Sequence, residues 1–286
     1  MNAEARISQQ QLEELFSRIG PRDKKILRSL HQCRYLTTTQ IVRLYFNNLD
    51  NQTAAVRAAN RNLAKLKNYG LIGALKRRVG GQYHGSDPFI WRLTPAGVRL
   101  LSLTSPEVAV SNRFFSPSVY FLKHTLVTAE AYLQIVEICR KAEVKLTNIE
   151  FEPECWRYFE GQIGKSTSYK ADLYAVTLNN GYEDHWFLEI DLATESYPTI
   201  IDKCERCIQY FKAGFEQKKN GVFPYVVWVV PSDIRKDSIR NCLIDHYGKV
   251  PDIFIVITPN ELESLITYGV DGHMQKTKES ESDHGQ

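Results

Sequence analysis

The sequence predicts a mixed α/β (α+β) chain in two domains, and three observations predict it. Helix-period segments fill the first hundred residues, whereas short β-branched and aromatic runs alternating with helices follow from Lys145 onward. Between them "TSPEVAVSNRFFSPS", Thr104 to Ser118, has two prolines, several serines and no period, and so reads as a boundary. Charge divides in the same way: residues 1–105 hold 17 Lys and Arg against 6 Asp and Glu, and the remainder holds 19 against 27. A basic first third suits a polyanion, and the acidic remainder suits something else. At 286 residues the chain is long enough to bury two sizeable cores. The expected organisation is a domain over 1–104, a linker over 105–118, a second domain over 119–270 and a polar, aperiodic, disordered tail over 271–286.

Several function classes fall away on the same reading. The longest apolar run, "GVFPYVVWVVP" from Gly221, is shorter than the roughly 20 residues a membrane span needs, so no membrane partner is expected. The start, "MNAEARISQQQLEELF", has no apolar signal core, and Cys33, Cys139, Cys155, Cys204, Cys207 and Cys242 are scattered. The chain therefore reads as reduced and cytoplasmic. "CERC", Cys204 to Cys207, has no second CxxC or histidine cluster beside it, which makes these buried free thiols rather than zinc ligands. The fragment "GQIGKSTS" lacks the upstream glycine of a phosphate-binding loop, which argues against an ATP motor.

In the first domain, "PRDKKILRSLHQCRYLTTTQIVRLYF" from Pro21 reads as a helix, a short turn and a second helix entered through Thr37, Thr38 and Thr39, whose hydroxyls can cap it. A third helix spans Thr53 to Asn68, with Gly70 as its terminating glycine. Val56, Ala59, Leu63 and Leu66 form one apolar stripe, while Arg57, Arg61, Lys65 and Asn68 gather on the opposite face. "LIGALKRRVGGQYHGSDPFIWRLTPAGVRLL" then reads as strand, basic hairpin, strand and a final helix after Pro95. This order resembles a winged helix-turn-helix domain of the MarR or replication-initiator kind, with "LTPAGVRLL" closing the wing. The resemblance implies duplex DNA, with the third helix in the major groove, where Arg reads guanine and Asn reads adenine. Its DNA-binding candidates are Thr39, Arg57, Asn60, Arg61, Lys65 and Asn68, joined by Lys76, Arg77, Arg78 and Tyr83 of the wing.

Beyond the linker, "VYFLKHTLVTAEAYLQIVEICRKAE" reads as a long amphipathic helix. Strand candidates follow in "KLTNIEFEPECW", "YKADLYAVTL" and "HWFLEIDL", then a helix from Tyr197, then "YVVWVV" and "IFIVIT". That α-β-β-β-α-β order, with Asp172 opening one strand and Glu189 inside the next, resembles the restriction-endonuclease-like PD-(D/E)xK superfamily. More narrowly, "YKADLYAV", "HWFLEIDLATES" and "IIDKCERCIQYF" resemble the replication-relaxation family of plasmid and mobile-element proteins. The nuclease resemblance implies that Asp172 and Glu189 hold Mg²⁺ or Mn²⁺ and that a lysine follows two residues after the Glu. That place holds Asp191, an anion where the pattern has a cation. Asp191 can serve as a third metal ligand, Lys203 can reach in from the next helix, and Glu130 can complete the cluster.

The expectation is thus a sequence-specific double-stranded DNA-binding protein of a plasmid, phage or integrated element, acting in replication, mobilisation or transcriptional control. No cofactor is required for DNA binding. The nuclease-like domain is expected not to cleave but to form a homodimer or recruit replication, mobilisation or transcription proteins. The rival is a Mg²⁺- or Mn²⁺-dependent endonuclease or nickase, with Asp172, Glu189 and Asp191 as ligands and Lys203 as the catalytic cation.

Overall fold

The computed structural model describes residues 7–48, 51–75, 89–104, 117–160 and 166–283. Its contacts separate two units, Met1–Leu133 and Gln134–Gln286.

The first unit opens with α1 (Gln9–Arg18), which was absent from the sequence expectation although its start is signposted. The Ser8 hydroxyl accepts from the Gln11 N–H at 3.2 Å, and the Gln11 side chain accepts from the Ser8 N–H at 2.8 Å. This reciprocal capping box is the meaning of Ser-x-x-Gln before an apolar run. Next come α2 (Pro21–Gln32), β1 (Leu36–Thr37) and α3 (Thr38–Tyr45). Thr37 and Gln40 cap α3 in the same reciprocal way, with Thr37 accepting from the Gln40 N–H. Asn51 caps α4 (Gln52–Asn68), and β2 (Ile72–Ala74), β3 (Ile90–Leu93) and α5 (Pro95–Ser102) follow. β3 pairs antiparallel with both β1 and β2, giving the order β1-β3-β2. The basic segment expected between β2 and β3, with Lys76, Arg77, Arg78, Tyr83 and His84, lies outside the described residues.

The "LTPAG" stretch works as a clamp on the end of α4. Thr94 caps α5 by accepting from the Gly97 N–H at 3.1 Å, and its hydroxyl donates to the Gly70 carbonyl at 2.5 Å. Its own N–H donates to the Leu71 carbonyl at 3.1 Å. A Cβ on Gly97 would fall inside the contact radius of that same Leu71 oxygen, so only glycine lets α5 approach the turn that closes α4.

Helix α6 (Val119–Lys141) runs through the division between the units. Its leading half belongs to the first: Leu122 packs with Tyr35 and Ile90. Glu130 accepts from Gln40 at 3.1 Å and pairs with Arg43. The division therefore falls inside this helix rather than in 105–118, because the apolar stripe of α6 supplies part of the first core.

In the second unit the main sheet has the order β10-β9-β8-β7-β4. Its strands are β4 (Lys145–Phe151), β7 (Leu173–Asn179), β8 (Tyr182–Ile190), β9 (Tyr225–Val229) and β10 (Phe254–Ile257). β4, β7 and β8 pair antiparallel, whereas β9 and β10 run parallel to β8. The intervening helices are α7 (Tyr197–Ala213), α8 (Phe215–Asn220) and α9 (Asp233–Tyr247). A separate hairpin, β5 (Trp156–Glu160) with β6 (Ser166–Lys170), interrupts the expected order. The run "YKADLYAVTL" is broken at Ala171 and Asp172 into β6 and β7. One sheet face, carrying Tyr174, Phe187 and Trp228, packs with Ile200, Cys204 and Tyr210 of α7 and Ile239 and Leu243 of α9. The tail expected to be disordered from residue 271 is helical through Asp283, as part of α10 (Leu262–Asp283). α10 turns at Gly269 (φ 68°, ψ −176°), and His273 beyond the turn is buried and hydrogen-bonded to Ser264 at 2.6 Å. Polar composition alone concealed this return contact.

Candidate nucleic-acid interface and carboxylate site

α4 presents most of the residues singled out in the sequence to solvent. Arg57, Asn60, Arg61 and Asn68 are exposed, as is Thr39 at the start of α3. Two positions differ from the helical projection. The buried stripe is Ala55, Ala59, Leu63 and Leu66, and Val56 is only half-buried. Lys65, expected on the outward face, instead pairs with the buried carboxylate of Asp23 at 2.6 Å. That carboxylate also accepts from the Gly20 N–H at 2.8 Å, so Lys65 is a tie between α4 and the start of α2. A projection of one helix cannot show where a neighbouring helix places its acid. Beside the exposed face, Thr39, Gln52, Val56, Asn60, Lys67 and Phe89 line a groove of about 510 Å³. Gln52 and Lys67 were missed by the sequence reading, although both lie at helical spacing from Asn60.

The carboxylates of the second unit meet cations of the protein itself. Glu189 lies inside β8, on the face whose neighbours are Phe187 and, in register on β9, Trp228. It is 1% exposed. Lys203 reaches it from α7, with Nζ 3.3 Å from Glu189 Oε2 and 2.9 Å from Glu195 Oε1. The lysine missing after Glu189 thus has a counterpart one helix later. Asp191 is taken by a residue the sequence reading did not find. Arg235 of α9 donates through Nε to Asp191 Oδ2 at 2.7 Å and through Nη2 to Oδ1 at 3.1 Å. Nη2 also donates to the Glu195 carbonyl at 2.9 Å, tying the segment after β8 to α9. Asp172 Oδ2 accepts from the Ile190 N–H at 2.7 Å, which holds the break between β6 and β7 against β8.

Asp191, as placed, does not fit the third-ligand position for a divalent ion. A hard cation needs several carboxylate oxygens pointed at one centre at about 2.0–2.6 Å. Here both Asp191 oxygens are engaged by the fork of one guanidinium, and Glu189 meets an ammonium through Oε2 while its Oε1 is buried without a hydrogen-bond partner. Among the described residues no group of three or more His, Cys, Asp or Glu side chains is placed to hold a metal ion. Arg235 and Lys203 supply the positive charge instead.

Burial pushes the Glu189 carboxyl from its ordinary 4.5 up to about 8; Lys203 opposes this shift and Asp172 adds to it. Burial also works against the Lys203 ammonium, yet Glu189, Asp172 and Glu195 together hold it above the ordinary lysine range. Cys204 and Cys207 are buried among these groups, and burial raises both thiols, which makes them poor nucleophiles and poor ligands. The sign of the Glu189 effect follows from linkage: an acid raised on folding binds its proton more tightly in the folded state. Its contribution to stability is present below the unfolded value and is lost as pH rises through about 8. Thermal melting of Glu189→Gln should therefore decline less than wild type between pH ~5 and ~8.5. Parallel curves would mean that Glu189 keeps one charge state throughout.

A protein-family model described as Replication-relaxation matches residues 27–226. The chain belongs to the replication-relaxation family. The matched segment contains α3, α4, the β1-β3-β2 sheet, Glu189 and Lys203, but stops short of Arg235. Membership in the replication-relaxation family supports a role in the replication of mobile elements. No curated protein and no solved structure matches the chain. Among the described residues, no helix is long and apolar enough to cross a membrane.

Proposed function

We propose that this replication-relaxation protein binds duplex DNA of its mobile element through the first unit as a winged helix, and that the second unit is a nuclease-like scaffold that does not cleave. The observation that carries the DNA-binding part is the outward face of α4, where Arg57, Asn60, Arg61 and Asn68 stand exposed beside the capped start of α3 and the β1-β3-β2 sheet. Packed apolar residues on one side with cations and amides on the other suit a helix laid in a major groove, and Arg61 and Arg57 suit phosphates or guanines at its edge. The pairs of Asp191 with Arg235 and of Glu189 Oε2 with Lys203 support a scaffold role, because they direct carboxylate oxygens to cations of the protein itself that a metal ion would otherwise compete for. Binding to inverted half-sites as a two-fold homodimer accords with this docking mode.

Titration of labelled duplex at graded salt, with wild type and Arg61→Ala, tests the first part. Removing one phosphate contact should reduce the slope of log K against log salt by about 0.9. Absence of salt-sensitive retardation overturns the DNA reading. Incubation with supercoiled plasmid in Mg²⁺, in Mn²⁺ and in chelator tests the second. Metal-dependent nicking that disappears in Asp172→Asn, a variant that keeps an acceptor for the Ile190 N–H, overturns the scaffold reading.

A further inference from the structure

We infer that α4 reads A·T base pairs, with Gln52 and Asn60 as the adenine-reading side chains and Val56 between them as the contact to a thymine methyl. This deepens the DNA-binding reading and rests on it.

Gln52, Val56, Asn60 and Ala64 recur every fourth residue of one helix, so they lie along a single line of its surface. That line forms one wall of the groove shared with Thr39 and Phe89. Gln52 and Asn60 are exposed, and among the described residues no hydrogen bond engages their side chains. A carboxamide offers a donor and an acceptor side by side, matching the N6 donor and N7 acceptor of adenine in the major groove. Val56 and Ala64 offer only apolar surface, which the thymine methyl satisfies and the cytosine amino group does not. Among the described residues the groove wall has no carboxylate to accept from cytosine.

The cations of α4 lie off the stretch of that line from Gln52 to Asn60. Lys65 is held by Asp23, and Lys67 lies toward the C-terminal end of the line. Arg57 and Arg61 stand roughly 100° and 140° around the helix from Val56, on the flank where a phosphate backbone would pass. Guanine-reading cations are thus missing between Gln52 and Asn60 on this line, and an amide stands at each end of that stretch. At about 1.5 Å per residue Gln52 and Asn60 are ~12 Å apart along the axis, with Val56 midway. A site with two separated adenines and a thymine between them fits this spacing.

Selection of random duplexes by the full chain, followed by titration of the selected site and of single A·T to G·C replacements, tests the inference. The expected result is A·T pairs at the centre of each half-site, with a replacement there weakening binding by ~10-fold or more. Asn60→Ala and Gln52→Ala should each erase the preference at one position and leave the salt slope unchanged, whereas Arg61→Ala should lower the slope and leave the preference intact. Selection of G·C at these positions, selection of no preferred base, or an Asn60→Ala protein with unaltered preference overturns the inference. Failure to retain any duplex overturns the DNA reading beneath it.

Discussion

Arg235→Ala is expected to cost the second unit ~3–5 kcal/mol of stability, the size of effect found when one partner of a buried ion pair is removed. The Asp191 side chain is fully buried and Arg235 nearly so, at 0% and 13% exposure. Alanine would leave the buried Asp191 carboxylate without its guanidinium partner, and would also free the Glu195 carbonyl that Arg235 binds. Arg235→Lys should recover only part of the loss, because an ammonium cannot span two carboxylate oxygens as the guanidinium fork does. The double variant Arg235→Leu with Asp191→Leu removes both charges and should recover much of it. Urea unfolding followed by tryptophan fluorescence reads the effect, since Trp186 and Trp228 are both buried in this unit. A loss below about 1 kcal/mol for Arg235→Ala would show that Asp191 is hydrated or protonated without it.

Gly97→Ala should destabilise the first unit by roughly 3 kcal/mol, at the upper end for overpacking. Most inserted methyl groups press on a side chain that can turn aside, whereas this one meets the Leu71 backbone carbonyl and the Leu93 side chain together. That carbonyl already accepts the Thr94 N–H, so it cannot withdraw without breaking a second contact. Thr94→Ala is a useful comparison, because losing a helix cap costs ~1 kcal/mol. Melting of both variants should rank Gly97→Ala as the more damaging. The reverse ranking would mean that α5 can shift away from the turn, and that the glycine serves something other than close approach.

The fold was legible where local chemistry dictates it. Thr37 with Gln40, Gly70 and the Pro95 start are signals within a few residues of what they control, and the α-β-β-β-α-β order follows from strand-length apolar runs. The approach of Lys203 to Glu189 was legible because both sit in one resembling segment. Arg235 was not, since it follows its partner by 44 residues and lies in a helix with no motif of its own. Lys65 shows the same limit from the other side: helical period places it on the outer face, and only the packing of α2 against α4 turns it inward to Asp23. What stayed hidden in both cases is a charge pairing between elements distant in sequence.

The Arg235 clasp also constrains substitution. A lysine placed at residue 191 alone would set an ammonium against the guanidinium that now neutralises Asp191. Two like charges would then share a site from which water is excluded, so the single step is costly in either order. A lysine at residue 191 is therefore tolerated only if residue 235 changes with it. The pair makes the identities of two residues far apart in sequence depend on each other, as well as tying α9 to the end of β8.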